Sequence, residues 1–287
     1  MSAKPFPIPV MAWGPGSQPE DTELAYLPLP REIESFDMPH LPSSEQVAHL
    51  AEAKAAIASL IARLQNYQGG LLDYPVVELD ALDYDNRQLI NQLLGEGEVS
   101  ARVQCLDGRL LDIQESVFAG IWRVLESDAD GQLLADRIEA CPIPAPVWQQ
   151  ARAFGQPRLS IPENLAAPLM NAMPVVTEIA AQMQAPPDVA HVINFSLLPM
   201  SPDDLSYLDR VLGAGNSGVF SRGYGKCRIL ATSLANVWRV QYFNGLNHIL
   251  LDTVEITRIP EVALASADDL ADSLDRLEEA YQWLLGE

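Results

Sequence analysis

Three cations, a cysteine and a tyrosine stand together in Ser221-Arg-Gly-Tyr-Gly-Lys-Cys-Arg228. Arg222, Lys226 and Arg228 suit an acidic group: a carboxylate-bearing partner, a peptide C-terminus or a phosphate. Gly223 and Gly225 flank Tyr224 and would let a ligand approach the backbone closely. Cys227 lies between Lys226 and Arg228, and flanking cations favour the thiolate, hence reactivity or metal binding. A plainer reading is equally open. The cations of a hairpin loop can pair with carboxylates elsewhere in the fold, and exposed pairs contribute only about 0–1 kcal/mol. A buried lone cysteine behaves as a small hydrophobe.

Other candidate chemistry is thin. Cys105, Cys141 and Cys227 form no C-x-x-C, and His40, His49, His191 and His248 have no ligand-like spacing to them. A dedicated zinc or iron–sulfur site within one subunit is not expected. One shared across subunits or with a client stays open. Gly213-Ala-Gly-Asn-Ser-Gly218 fits G-x-G-x-x-G, but it should follow a helix and precede a strand, the reverse of the dinucleotide fingerprint. Asp203-Asp204 and Asp268-Asp269 fall at helix N-termini, where they complement the dipole. There is no nucleophile elbow, P-loop or H-E-x-x-H. No catalytic residue, metal ligand or cofactor is assigned.

The elements that must position the basic segment follow from an internal repeat. Gly120-Ile-Trp-Arg-Val124 matches Asn236-Val-Trp-Arg-Val240 at an offset of 116. At the same offset Leu134-Ala-Asp-Arg-Ile-Glu139 lies on Leu250-Leu-Asp-Thr-Val-Glu255, and Ile143-Pro144 on Ile259-Pro260. Leu94-Gly-Glu-Gly97 matches Leu212-Gly-Ala-Gly215 at an offset of 118.

Each unit reads as a short strand (76–79; 192–197), a capped helix ending at Gly-x-Gly, and an antiparallel meander. The meander strands are expected over 99–103, 110–114, 121–125 and 133–140, then 219–221, 228–231, 237–243 and 249–256. Ser201 is the N-cap of the second unit's helix, with Pro202 at its first position. Ser43 and Gln46 predict a capping box opening a helix that ends before Gly69-Gly70. Ser266 and Asp269 predict a terminal helix with Leu270, Leu274, Leu277 and Tyr281 on one face. Trp122 and Trp238 are expected as core anchors.

The fold class is α+β: two tandem related halves, each a strand and helix followed by an antiparallel meander, with flanking helices. The expected divisions are a Pro-rich extended arm over 1–42, a first unit over 43–150, a linker with a helix over 151–190 and a second unit over 191–287. Duplicated halves are expected to pack around a pseudo-two-fold axis. The arm holds nine of the 22 prolines. Trp13, Tyr26, Leu27, Leu29 and Phe36 suggest that it docks on something.

The chain of 287 residues carries 18 Lys+Arg against 39 Asp+Glu, a net charge of −21. That opposes nonspecific attraction to nucleic acid or anionic membranes. No apolar run reaches the ~18–20 residues that cross a bilayer. The N-terminus lacks a signal-peptide pattern, and the sparse cysteines fit a reducing cytoplasm. The acidity is uneven. Residues 92–135 contain eight acids and three cations, whereas residues 210–251 contain no acid and five cations: Arg210, Arg222, Lys226, Arg228 and Arg239.

Four segments together resemble the HupH/HyaF/HoxQ family of hydrogenase expression/formation proteins. They are Gly14-Pro-Gly-Ser-Gln-Pro-Glu20, Ser221-Arg-Gly-Tyr-Gly-Lys-Cys-Arg-Ile229, Val237-Trp-Arg-Val-Gln-Tyr-Phe-Asn244 and Leu251-Asp-Thr-Val-Glu255 through Ile259-Pro-Glu-Val262. The resemblance implies a maturation accessory for nickel–iron hydrogenases and not an enzyme. Its implied partners are the immature iron–sulfur small subunit and other hydrogenase accessory proteins; a homodimer stays open. The expected contact residues are Arg222, Gly223, Tyr224, Gly225, Lys226, Cys227, Arg228 and Arg239, with Gly14, Pro15, Gly16, Ser17 and Gln18 of the arm. Two alternatives stand beside it: a metal or cluster carrier using Cys227, and an enzyme acting on an anionic small molecule at the basic segment.

Overall fold

A computed structural model describes residues 42–161, 169–184, 189–223 and 225–286. Its centre is one antiparallel sheet to which each repeat gives five strands. The first repeat supplies β1 (Val76–Glu78), β2 (Val99–Gln104), β3 (Leu110–Glu115), β4 (Ile121–Ser127) and β5 (Leu133–Ala140). The second supplies β6 (His191–Asn194), β7 (Ser217–Ser221), β8 (Cys227–Ala231), β9 (Val237–Phe243) and β10 (Ile249–Ile256). The order β1-β5-β4-β3-β2-β7-β8-β9-β10-β6 reads the same from either edge once the repeats are equated. At the junction of β2 and β7, Ala101 pairs with Val219, its own counterpart at an offset of 118. A pseudo-two-fold axis therefore passes through that pair.

Strand alternation sorts side chains onto two faces. On one face Val103, Ile113, Trp122, Val124, Val219, Ile229, Trp238 and Val240 form a core continuous across both repeats. Trp122 and Trp238 are each 1% exposed. Their ring N–H groups donate to the Cys141 carbonyl at 2.9 Å and the Arg258 carbonyl at 3.2 Å. Each indole thus buries its apolar body without leaving its one donor unpaired. Helix α3 (Ala145–Phe154) covers this face with Val147, Trp148 and Ala151. The sequence pattern predicts no helix there. Pro146 in the first turn needs no N–H partner, so α3 starts without a side-chain cap.

The opposite face carries two helical layers. Helices α1 (Ala51–Leu64), α2 (Tyr84–Leu94) and α6 (Ala267–Leu285) pack over the first repeat's Val77, Ile121 and Ile138. Helices α4 (Ala172–Gln182) and α5 (Pro202–Leu212) pack over the second repeat's Ile193, Val237 and Val254. The meanders lie where alternation and turn residues place them, within two residues at each end. The Ser201 and Ser266 capping boxes form with Asp204 and Asp269.

Three local expectations change. Ser43 N–H does donate to Gln46 Oε1 at 3.0 Å, but residues 44–49 wind as turns and α1 begins at Ala51. Asn86 of α2 instead accepts the first-turn N–H of Ala53 at 2.9 Å. Strand β6 stops at Asn194, whose side chain accepts the Ser196 N–H and turns Phe195–Leu197 into a 3-10 helix. Asp204 does more than cap α5. Its carboxylate accepts the N–H groups of Met170, Asn171 and Ala172, as well as Ser201 N–H and Oγ–H. Burial alone would raise its pKa; these bonds outweigh it and hold it low. They also fasten the start of α4 to α5.

Shared backbone strain marks the repeat. Gly120 (φ +77°) and Asn236 (φ +60°) occupy the same left-handed position before β4 and β9. Asn is among the few side-chain-bearing residues that tolerate it.

Candidate functional site

The basic segment is the connection between β7 and β8. Ser221 pairs with Cys227, so Arg222 to Lys226 make the turn. Gly225 has φ +98°, a left-handed value suited to glycine. The Arg222 N–H donates to the Glu98 carbonyl at 2.9 Å. The Glu98 carboxylate lies so close to Gly223 that a Cβ there would have to push it aside, so the loop lies directly against the first repeat.

The five cations of the acid-free window have different fates. Lys226 is exposed, and its Nζ donates to Asn247 Oδ1 at 2.8 Å, in the neighbouring β9–β10 turn. Arg222 is half-buried at the loop's start. Arg228 lies with its guanidinium 4.7 Å from the Phe243 ring centroid, a cation–π distance. Arg210, in the last turn of α5, lies 5.9 Å from the Tyr207 centroid. Arg239 is different in kind. It is 5% exposed and meets Asp252 through Nε (2.9 Å) and Nη2 (2.7 Å), with Asp209 on Nη1. Burial opposes its charge, and these carboxylates outweigh that cost. Arg239 is therefore removed from the set of residues able to meet a partner.

The same arrangement recurs in the first repeat. Arg123 meets Asp136 through Nε and Nη2, and its Nη1 donates to Asn91 Oδ1 at 3.0 Å. Asn91 and Asp209 are counterparts at an offset of 118, the others at 116. The signal was present in the sequence: both matched blocks keep the Arg and the Asp. The acid-free window stops at Arg210 and Leu251, one residue short of Asp209 and Asp252 on either side. Its fifth cation is thus neutralised from just beyond both ends.

Cys227 is also corrected. Alternation turns it to the tryptophan face while Arg228 points to the other, so cations adjacent in sequence do not flank the thiol in space. It is 3% exposed. Burial, set against a hydrogen bond from the Tyr242 hydroxyl and with Glu255 nearby, pushes its pKa up to about 12. That is an inert thiol, not an activated one. Cys105 and Cys141 are buried and free as well. Among the described residues no group of three His, Cys, Asp or Glu side chains could hold a metal ion.

Gly213 ends α5 with φ +57°, and Gly95 ends α2 with φ +55°. The G-x-G-x-x-G pattern is therefore helix termination followed by β7. Tyr224 and the arm residues Gly14, Pro15, Gly16, Ser17 and Gln18 lie outside the described residues. No described helix is long and apolar enough to cross a membrane.

What remains is a glycine-bent loop with exposed positive charge, next to a hairpin turn, on a strongly acidic chain. Such a surface can hold an acidic group by charge and backbone contact. Among the described residues, the loop itself brings no nucleophile or general acid–base pair to that group.

Comparison with known proteins agrees with the repeat. The model of the HupH hydrogenase expression protein C-terminal conserved region matches twice, over residues 50–167 and 169–284. The hydrogenase expression/formation protein HoxQ of Cupriavidus necator is 42% identical over 282 residues, covering 97% of this chain and 98% of that one. HupQ of Azotobacter chroococcum is 42% identical over 277 residues, covering 95% and 96%. The hydrogenase-1 operon protein HyaF of Escherichia coli is 39% identical over 271 residues, covering 94% and 95%. One conserved-region model fits each half, and the relatives align over nearly their full lengths: this chain belongs to the HupH hydrogenase expression protein family.

Proposed function

We propose that the protein is an accessory factor of hydrogenase maturation that works by binding a protein client through the β7–β8 loop. The client is the immature iron–sulfur small subunit of the hydrogenase or a companion assembly factor. Family membership supports the hydrogenase setting, since the relatives carry the names hydrogenase expression/formation protein and hydrogenase-1 operon protein. The observation that carries the binding role is the contrast between equivalent loops. In the first repeat Arg109 is neutralised by Asp107 and Glu126. In the second, neither Arg222 nor Lys226 has a carboxylate in ion-pair range among the described residues. A −21 chain has carboxylates to spare, so positive charge left available at one turn is a feature to be explained by something outside the fold.

The buried thiol of Cys227 weakens the carrier alternative. Anaerobic purification with iron and sulfide analysis separates the two: bound iron that is lost in Cys227→Ser would favour the carrier. Affinity capture of tagged protein from hydrogenase-expressing cells tests the proposal itself. Recovery of hydrogenase subunits or accessory proteins supports it, and their absence under cross-linking conditions refutes it.

A further inference from the structure

The pseudo-two-fold axis gives the sheet two equivalent ends, and the turns that correspond in the two repeats differ in charge. One end carries the β2–β3 and β4–β5 turns, with Asp107, Arg109, Asp128 and Asp130. The other carries the β7–β8 and β9–β10 turns, whose own residues include Arg222, Lys226 and no acid, with the carboxylate of Glu98 lying against Gly223. Both ends also present leucines. Leu134 and Leu250, counterparts at an offset of 116, are each skipped in the pairing register, where a bulge turns the side chain outward. At the basic end Leu250 is 63% exposed, Leu246 77% and Leu197 79%. A surface of two cations flanked by exposed leucines fits a segment that is both acidic and apolar.

This chain contains one. Residues 20–41 carry Glu20, Asp21, Glu23, Glu32, Glu34 and Asp37 against Arg31, a net −5, interleaved with Leu24, Tyr26, Leu27, Leu29, Ile33 and Phe36. We propose that this half of the arm docks across the basic, leucine-flanked end of its own chain and occupies the surface that a client would use. The idea rests on the reading of the β7–β8 loop as a docking surface.

The reach is ample. The arm joins the body beside the C-terminus of α6, where a Cβ on Gly286 would come within 3.0 Å of Ser44 Oγ. The nineteen residues of α6 span about 28 Å. At its other end Asp269 and Glu98 both act on Glu115, and Glu98 touches the loop at Arg222 and Gly223. Twenty-two extended residues reach roughly 70 Å, so the acidic half spans the distance with slack. The occupant is therefore the molecule's own segment, displaced when a client with the same chemistry and more contact arrives.

The lysine content makes the test clean: the chain has only Lys4, Lys54 and Lys226. Full-length protein is treated with a zero-length carbodiimide and digested, using an equal mixture of light and heavy isotope-labelled chains. The expected product joins Lys226 to an acid within residues 20–37, in same-isotope pairs, and falls at least fivefold in 0.5 M NaCl. In parallel, Glu32→Lys/Glu34→Lys/Asp37→Lys should raise acetylation of Lys226 at least threefold and leave Lys54 unchanged. Cross-links from Lys226 only to acids of the body, or only between isotopes, overturn the proposal, as does unchanged Lys226 acetylation. Client capture is scored separately with Arg222→Glu/Lys226→Glu. If capture is unaffected while the Lys226–arm product forms in the native chain, the docking reading fails and the arm contact stands.

Discussion

Replacing Arg239 by methionine should cost about 3–5 kcal/mol, the usual penalty for removing one partner of a buried ion pair. The structure gives the reason for the size. The guanidinium is 5% exposed and Asp252 is 5% exposed, so neither loses its charge to solvent cheaply. Removing the arginine leaves Asp252 held by Gln241 Nε2 at 3.3 Å and strands Asp209 beside it. The first repeat supplies an internal control. Arg123→Met orphans Asp136, but its other partner Asn91 is neutral and the arginine side chain is 16% exposed. Its cost should be smaller than that of Arg239→Met by at least about 1 kcal/mol, because one carboxylate rather than two is left without its counter-charge. Urea unfolding of the wild type and both variants at pH 7 measures this. A typical domain has only about 5–15 kcal/mol to lose, so the Arg239 variant should unfold at much lower urea. Adding Asp252→Asn to it should restore at least about 1 kcal/mol. An Arg239→Met protein as stable as wild type, yet unable to capture a client, would show that Arg239 belongs to recognition and that its structural assignment is wrong.

Three further outcomes are expected. Glu115 is 8% exposed, and burial, opposed by the Gly120 N–H and aided by Asp269 and Glu98, pushes its pKa up to about 7. The unfolded value is near 4.3, so its stabilising contribution is whole below about pH 4 and is lost as pH rises through 7. That loss is worth about 4 kcal/mol at 1.36 kcal/mol per pH unit; Glu115→Gln, which can still accept from Gly120, should flatten Tm between pH 5 and 8, and an unaltered Tm profile would count against it. The three buried thiols should react slowly with an aromatic disulfide at pH 8 in the native state and all react in denaturant, whereas one fast native thiol would reinstate Cys227 as reactive. Gly97→Ala, whose Cβ collides with the Ser116 carbonyl, should cost about 1–3 kcal/mol, while Gly245→Ala, with nothing within 4 Å, should be near neutral in the same unfolding assay.

Most of the meander was legible because alternation, turn glycines and capping serines are local signals. The Trp and Arg positions of the two repeats are enough to equate β4 with β9. How the halves join was not legible. Nothing in the strand sequences says that β2 pairs with β7, because edge pairing uses backbone groups that every residue has. Helix α3 was hidden because its prolines and its place after the repeat read as linker. At the site, the loop and its glycines were visible, but the fates of its cations were not. Counting charge along the chain made Arg239 part of a basic island. The fold instead brings in Asp209 from α5 and Asp252 from β10, both just outside the window. Cys227 failed for a similar reason: neighbours in a strand point to opposite faces, so flanking charge in sequence says little about the field at the thiol.

The central claim is that Arg222 and Lys226 form a client-binding surface. It is tested most directly by comparing Arg222→Glu/Lys226→Glu with Arg109→Glu, the charge reversal at the equivalent turn of the first repeat. Each tagged, folded protein is used to capture the hydrogenase small subunit from cells that make it, and the bound subunit is quantified. The account predicts at least a tenfold loss with Arg222→Glu/Lys226→Glu, about 1.4 kcal/mol, and near wild-type recovery with Arg109→Glu. Equal recovery by wild type and by a folded Arg222→Glu/Lys226→Glu protein would contradict it.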